Sequence, residues 1–158
     1  MSRQMKRAGG LTLVEIMVAI LILSIAVLGA SGYRYYSSLD SRKAELHTTS
    51  ARIGTLLCES WHGTNGDEDY DPVAHLSSEL AITPFTSVSS SMTPGFTALG
   101  EYQVVVDGDS YYAALAWADV AAGLRALNVV VVWTQRDGRR SDVGDPTKAF
   151  RLTTYTSI

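Results

Sequence analysis

This chain of 158 residues lacks the residue patterns that build disulfides and most catalytic or metal centres. Its single cysteine, Cys58, cannot form a disulfide within the chain, and we expect a buried thiol on a helix. The three histidines lie 15 and 13 residues apart, so none forms the closely spaced pair of a zinc site. No P-loop, Gly-x-Ser-x-Gly or Gly-x-Gly-x-x-Gly motif occurs. We therefore expect no enzymatic activity and no cofactor.

Basic residues are missing from the middle of the chain. No lysine or arginine occurs between Arg52 and Arg125, although this stretch holds ten acidic residues. Recognition of a nucleic acid requires a basic groove, so we expect no nucleic-acid partner. We interpret the acidic stretch as solvated loops, and the alternative is an electrostatic match between neighbouring copies of the chain.

Charge of either sign is missing between Glu15 and Arg34. The apolar segment over residues 11–32 is long enough, at about 1.5 Å per helical residue, to cross a bilayer. Basic residues precede it, so we expect a cytoplasmic N-terminus and the C-terminal bulk of the chain on the other side of the membrane. A removable secretory signal peptide is the first alternative, but Glu15 interrupts its apolar region and no clear cleavage site follows.

The start of this segment carries a specific motif. The sequence Gly-Leu-Thr-Leu-Val-Glu at residues 10–15, followed by an apolar helix, resembles the class III signal of type IV pilins and type II secretion pseudopilins. The resemblance implies that a prepilin peptidase cuts between Gly10 and Leu11, which removes a basic leader over residues 1–10, and that Leu11 is then N-methylated. The departures are Leu11, where most members have phenylalanine, and a helix without proline.

The glutamate that this family carries four residues after the new terminus corresponds to Glu15. The resemblance implies that Glu15 pairs with the α-amine of Leu11 in a neighbouring subunit of a filament, because an unpaired charge in an apolar bundle is costly. The alternative is pairing with its own α-amine or a position at the headgroup level. The implied partners are sister subunits, the prepilin peptidase and an inner-membrane assembly machinery.

A helical stripe follows the apolar segment. Its members recur at spacings of seven and four residues, which places them on one face of a helix: Leu39, Leu46, Ile53, Leu57 and Trp61. We predict one helix over residues 11–62, with residues 11–32 as the membrane span and later filament core, and with Gly63 as its C-cap. Residues 63–100 have the composition of a variable loop region.

The hydrophobic period changes to two from Glu101 onward. Residues 101–158 predict a four-stranded antiparallel β-meander, with a hairpin turn at Asp107-Gly108. The third strand contains Val130 and Val132 on its second face and therefore lies inside the sheet. Because the sheet needs cover and the helical stripe can supply it, we predict an α+β chain whose meander packs on the second half of the helix. This is also the pilin fold that the resemblance implies.

Two groups of acidic residues have the oxygen-rich composition of calcium loops. The first group is Asp67, Asp69 and Asp71, and the second is Asp137, Asp142 and Asp145. Neither has the glycine and distal glutamate of an EF-hand, so we interpret them as ordinary turn acids, with calcium as the alternative.

The sequence thus predicts a non-catalytic prepilin-like subunit that is assembled into a type IV pilus or a type II secretion pseudopilus. We expect a single-pass protein of the inner membrane that later enters a periplasmic or extracellular filament. The alternative is a single-pass membrane protein that displays a small β-domain for ligand binding. Composition does not separate a pilus from a pseudopilus subunit.

Overall fold

The computed structural model of this protein describes residues 12–86, 93–133 and 149–158. In chain order the elements are α1 (Leu13–Gly63), α2 (Pro72–Leu76), β1 (Ala81–Pro84), β2 (Thr97–Val106), β3 (Asp109–Ala121), β4 (Leu124–Trp133) and β5 (Ala149–Ser157). The chain divides into two compact units, Met1–Lys43 and Ala44–Ile158. The second unit contains every strand of the described residues.

The strands of the second unit form one antiparallel sheet in the order β1-β2-β3-β4-β5. Each strand pairs with its neighbour in sequence, so the sheet is a meander. The turn between β2 and β3 has positive φ angles at Asp107 (52°) and Gly108 (83°). Two successive residues with positive φ form the type I′ geometry that matches the twist of a two-residue hairpin, as the Asp-Gly pair predicts.

One face of the sheet is covered by the second half of α1. All seven residues that α1 buries lie in this half, and they are Leu46, Ser50, Ile53, Gly54, Leu57, Cys58 and Trp61. All of them except Ser50 and Gly54 join a single hydrophobic core with the inward residues of the strands, among them Val104, Leu115 and Val129, which are 0% exposed. The predicted stripe is therefore the contact face from Leu46 onward, whereas Leu39 is 39% exposed.

The second face of the sheet has a smaller apolar cluster. Val130 and Val132 are buried there and contact Phe85, Tyr112 and Ala149. β4 lies between β3 and β5. The prediction of an internal strand that is apolar on both faces is thus confirmed.

The predicted fold class is confirmed, but the sheet has five strands rather than four. The additional strand is β1, which lies within the segment that we predicted as loop over residues 63–100. β1 pairs with β2 and buries Ile82 opposite Val104. The same segment contains α2, which begins after Asp71 as N-cap, and the first residues of β2.

The end of α1 differs in detail from the prediction. The backbone N–H of Gly66 donates to the carbonyl of Trp61 (3.1 Å), and that of Asn65 donates to the carbonyl of His62 (3.0 Å). These two bonds define a Schellman motif, in which Asn65 (φ 57°) occupies the left-handed position after the helix and Gly66 (φ 69°) follows it with a positive φ as well. Gly63 is the last helical residue rather than the left-handed cap.

Candidate functional site

The first half of α1 exposes its apolar side chains. The large hydrophobic residues from Leu13 to Leu28 are 48–76% exposed, and they are Leu13, Val14, Ile16, Met17, Val18, Ile20, Leu21, Ile22, Leu23, Ile25, Val27 and Leu28. An 18-residue window of α1 has a mean hydropathy of 2.7, and none of that window is buried. By length and composition, α1 can therefore cross a membrane.

Few polar groups interrupt this apolar half, and their hydroxyls form hydrogen bonds within the helix. The hydroxyl of Ser24 donates to the carbonyl of Ile20 (2.7 Å), and that of Ser31 donates to the carbonyl of Val27 (2.8 Å). Bonds to the carbonyl four residues earlier let a hydroxyl lie in hydrocarbon without an unpaired donor. These two serines are therefore compatible with a lipid or helix-bundle environment.

Glu15 forms a capping box with Thr12 at the start of α1. The Thr12 backbone N–H donates to Glu15 Oε2 (2.9 Å), and the Glu15 backbone N–H donates to Thr12 Oγ1 (3.3 Å). The Thr12 hydroxyl also donates to Glu15 Oε2 (3.1 Å). This reciprocal pair satisfies two backbone donors that a helix otherwise leaves unpaired at its N-terminus.

The capping box was not part of the sequence prediction, although the spacing Thr-x-x-Glu before an apolar run is its usual signal. The prediction considered an α-amine partner for Glu15, in its own chain or in a neighbour, or a position at the headgroup level. In the structure the carboxylate has a neutral partner in its own chain, at the first turn of the helix. A carboxylate in this position is also favoured by the helix dipole. A single copy of the chain therefore holds the Glu15 carboxylate in hydrogen bonds without a second copy.

Most of the remaining predicted site residues lie outside the described residues, and the others are acids in turns. Gly10 and Leu11, the proposed cleavage and methylation residues, lie outside the described residues, and so do Asp137, Asp142 and Asp145. Of the first acidic group, Asp67 accepts a hydrogen bond from the Asp69 backbone N–H (3.1 Å), and Asp71 accepts one from the Val73 backbone N–H (3.0 Å). These bonds are those of turn and cap acids. In the described ranges no group of three or more His, Cys, Asp or Glu side chains could hold a metal ion.

The lone thiol lies in the core, as expected. Cys58 is 4% exposed, and burial raises the pKa of its thiol above the ordinary value. A thiol with a raised pKa is a poor nucleophile, so Cys58 contributes packing rather than chemistry.

An arginine that the sequence did not single out connects the end of α1 to the sheet. The Arg125 side chain is 6% exposed, and its Nε and Nη2 atoms donate to Asp119 at 2.7 and 3.2 Å. Its Nη2 also donates to Glu68 (2.7 Å), and its Nη1 donates to the carbonyl of Gly66 (3.0 Å). The guanidinium lies 4.1 Å from the ring centroid of Trp117. We call these five residues the Arg125 cluster. Its contacts hold the segment that follows α1 against strands β3 and β4.

Comparison with known proteins gives one match at the start of the chain. The prokaryotic N-terminal methylation motif, which is the class III signal of type IV pilins, matches residues 5–31. The match confirms the predicted resemblance over those residues, which include the capping box and most of the exposed apolar half. No curated protein and no solved structure matches the chain. The motif and the exposed helix together support a membrane-anchored, type IV pilin-like prepilin.

Proposed function

We propose that this chain is a non-catalytic prepilin subunit that polymerises into a type IV pilus or a type II secretion pseudopilus. A prepilin peptidase cuts between Gly10 and Leu11, and the new α-amine of Leu11 is methylated. The observation that carries the proposal is a helix with the methylation motif at its start and an apolar half that is exposed over its whole circumference. Such a helix requires lipid at first and sister helices later.

The chemistry of assembly follows from Glu15. In the membrane-inserted subunit, Thr12 supplies hydrogen bonds to the carboxylate but no positive charge. In a bundle of apolar helices a carboxylate without a counter-charge is strongly disfavoured, and the ammonium at Leu11 of the next subunit supplies one. Peptidase action therefore creates the group that makes burial of Glu15 tolerable. This pairing selects the axial position of the incoming subunit.

The first experiment measures the mass of the mature N-terminus in membranes and in sheared fibres from the native host. We expect a species that begins at methylated Leu11 in both fractions. A chain that retains Met1 would overturn the proposal and favour a single-pass protein that displays its β-domain. A chain cut near Ala30 to Gly32 would instead indicate a secreted domain.

The second experiment separates the charge of Glu15 from its capping role. Glu15→Gln keeps a side-chain oxygen that can accept the Thr12 N–H bond, whereas Glu15→Ala removes both functions. We expect both variants to be cleaved normally and both to be depleted from fibres, because the missing property is the charge. If Glu15→Gln enters fibres like the wild type while Glu15→Ala does not, the capping box is the whole role of Glu15 and the intersubunit pair is wrong.

A further inference from the structure

Three tyrosines and an arginine follow each other where the apolar half of α1 ends. Tyr33, Tyr35 and Tyr36 are 76%, 62% and 68% exposed, and Arg34 between them is exposed as well. We call these four residues the tyrosine girdle. Tyr102 in the sheet is by contrast only 8% exposed. The girdle thus presents large rings with polar tips that the described residues leave uncovered.

The girdle surrounds the helix. Successive residues of an α-helix are about 100° apart, so four consecutive residues cover almost the whole circumference, and Tyr35 lies about 200° from Tyr33. The rings of Tyr35 and Tyr36 contact each other edge to face, with their centroids 5.8 Å apart. Contact with one neighbouring helix uses a stripe of residues three and four apart, on a single side. The girdle has no such single side, which favours a partner that surrounds the helix, namely a lipid layer.

The side chains of the girdle suit the headgroup layer of a phospholipid membrane. Tyrosine places its apolar ring near hydrocarbon and its hydroxyl in a polar layer, and it is therefore enriched where hydrocarbon meets water. The long stem of an arginine lets its guanidinium reach lipid phosphates, with which it forms charge-assisted hydrogen bonds. Within the described residues Arg34 takes part in no ion pair. Phosphate oxygens therefore supply its counter-charge.

The distance between the girdle and Glu15 matches the thickness of a bilayer. Tyr33 follows Glu15 by 18 residues and Tyr36 follows it by 21, so the two sites are about 27–32 Å apart along the helix. The hydrocarbon layer of a bilayer is about 30 Å thick. A tilt of about 20°, which is usual for such helices, shortens this span by only about 2 Å. With the girdle in one headgroup layer, Glu15 and its capping box lie at the boundary of the other.

We propose that the tyrosine girdle binds the phospholipid headgroup layer at the outer boundary of the hydrocarbon, on the C-terminal side of the apolar half, and thereby sets the depth of Glu15. The inference rests on the membrane-anchored state in the proposed function, but it does not require polymerisation. At this depth the Glu15 carboxylate stays near water and headgroups while Thr12 holds it. Its costly transfer into an apolar environment then comes only when the subunit leaves this depth and enters a helix bundle.

The first experiment locates both boundaries in full-length protein in vesicles of phosphatidylethanolamine and phosphatidylglycerol. In a Cys58→Ala background, nitroxide labels are attached to single cysteines along α1, and their depth is measured from collisions with oxygen and with a water-soluble nickel chelate. We expect zero depth within one helical turn of the girdle and again within one turn of Glu15. An outer boundary before Gly29 or beyond Asp40, or an inner boundary more than one turn from Glu15, would overturn the inference.

The second experiment tests whether the girdle causes this depth. The variant Y33L/R34L/Y35L/Y36L removes the polar tips and lengthens the apolar segment by about one turn. We expect the outer boundary to move toward the C-terminus by about one helical turn, because these four positions then lie in hydrocarbon at no cost. Tyr155→Leu removes an exposed tyrosine of the sheet unit and should leave the boundary in place. An unchanged boundary in the leucine variant, or an equal shift in the control, would show that the girdle does not set the depth.

The third experiment identifies what contacts the girdle in native membranes. The photo-cross-linking amino acid p-benzoylphenylalanine replaces Tyr35 in the full-length chain. We expect the main product after illumination to be an adduct with the added mass of one phospholipid. A covalent dimer as the main product would show that the girdle binds a second copy of the chain instead of lipid, and it would overturn the inference.

Failure of this inference can be distinguished from failure of the proposed function. If the mature chain begins at methylated Leu11 and enters fibres, but the leucine variant keeps the wild-type boundary, the girdle is wrong and the function stands. If the chain in native membranes keeps its first ten residues while the girdle marks the outer boundary, the function falls. The girdle then remains as the anchor of a single-pass membrane protein.

Discussion

Residues 13–32 and residues 44–63 belong to the same helix, yet only the second stretch buries side chains among the described residues. Leu57 in the second stretch is 0% exposed, and Leu21 in the first is 61% exposed. Both stretches form regular helix, so backbone hydrogen bonding does not distinguish them. The difference shows that one half of α1 is stabilised by its own sheet, while the other half has the composition of a core and depends on cover from outside the chain.

The largest effect should come from one substitution made in each half. Leu57→Ala removes buried methyl groups and leaves a cavity, so we expect the free energy of unfolding of the sheet unit to fall by about 2–5 kcal/mol. Leu21→Ala should leave it unchanged. All three tryptophans lie beyond residue 60, so their fluorescence during urea unfolding in detergent micelles reports on the sheet unit.

The same pair of variants tests whether the two halves of α1 differ in this way. If Leu21→Ala destabilises the sheet unit as much as Leu57→Ala does, the stability of that unit depends on the first half of α1, and the apolar side chains there do not depend on cover from outside the chain. In fibres Leu21→Ala should have the larger effect of the two, because the proposed function places Leu21 in the core of the helix bundle. We expect Leu21→Ala to lower fibre stability in salt or detergent while the isolated subunit unfolds like the wild type.

The Arg125 cluster should give the next largest effect. Arg125→Met preserves much of the apolar stem but removes the hydrogen bonds to Asp119, Glu68 and Gly66, so we expect a loss of about 2–3 kcal/mol in the free energy of unfolding. Arg125→Lys keeps the charge and loses the planar fork, and it should lie between Arg125→Met and the wild type. Equal stability of all three proteins in urea would show that the Arg125 cluster does not contribute to the free energy of unfolding.

A pH titration tests the contribution of the Asp119–Arg125 pair to stability. The hydrogen bond from Arg125 holds the pKa of Asp119 below its ordinary value. A carboxyl whose pKa is lower in the folded state stabilises that state above its unfolded pKa of about 4 and loses this contribution as the pH falls through the folded value. We therefore expect the urea midpoint of the wild type to fall more steeply below about pH 4 than that of Asp119→Asn.

The control for this titration is the double variant Asp119→Asn with Arg125→Met. If the steep acid loss comes from the Asp119–Arg125 pair, Arg125→Met alone and the double variant should show the same pH dependence. A persistent difference between those two proteins would assign the effect of Asp119 to another partner.

Local patterns in the sequence determined most of the fold. The inward face of β4 alternates through Leu127, Val129, Val131 and Trp133, and each of these residues is buried as the period of two predicts. β1 was missed because it has four residues, buries only Ile82 and ends at Pro84, which leaves no measurable period. Its structure comes from pairing with β2, about 20 residues away.

The candidate site also contains one residue that the sequence predicted and one that it did not. Glu15 was found because a single charge in an apolar segment is visible in the sequence, and its partner Thr12 was within reach of the same local reasoning. Arg125 was not found, although its partner Asp119 lies only six residues away, directly across the β3–β4 hairpin. Its partners Gly66 and Glu68 are 59 and 57 residues away, and only the folded sheet brings them to Arg125. Local signals therefore located the residue that we assign to assembly, whereas the contacts of Arg125 with Gly66 and Glu68 depend on the fold and have no local pattern in the sequence.

The smallest effect concerns the end of the second half of α1. Asn65 has a positive φ of 57°, which asparagine tolerates better than alanine, so Asn65→Ala should cost about 0.5–1 kcal/mol in unfolding free energy. Gly63 lacks a positive φ, and a Cβ there would meet nothing within 4 Å, so Gly63→Ala should be neutral or stabilise the helix by up to about 1 kcal/mol. Urea unfolding of both variants decides which residue is the cap. If Gly63→Ala lowers the free energy of unfolding and Asn65→Ala does not, Gly63 is the C-cap of α1. The Schellman bonds at Asn65 and Gly66 would then not determine where the buried half of α1 ends.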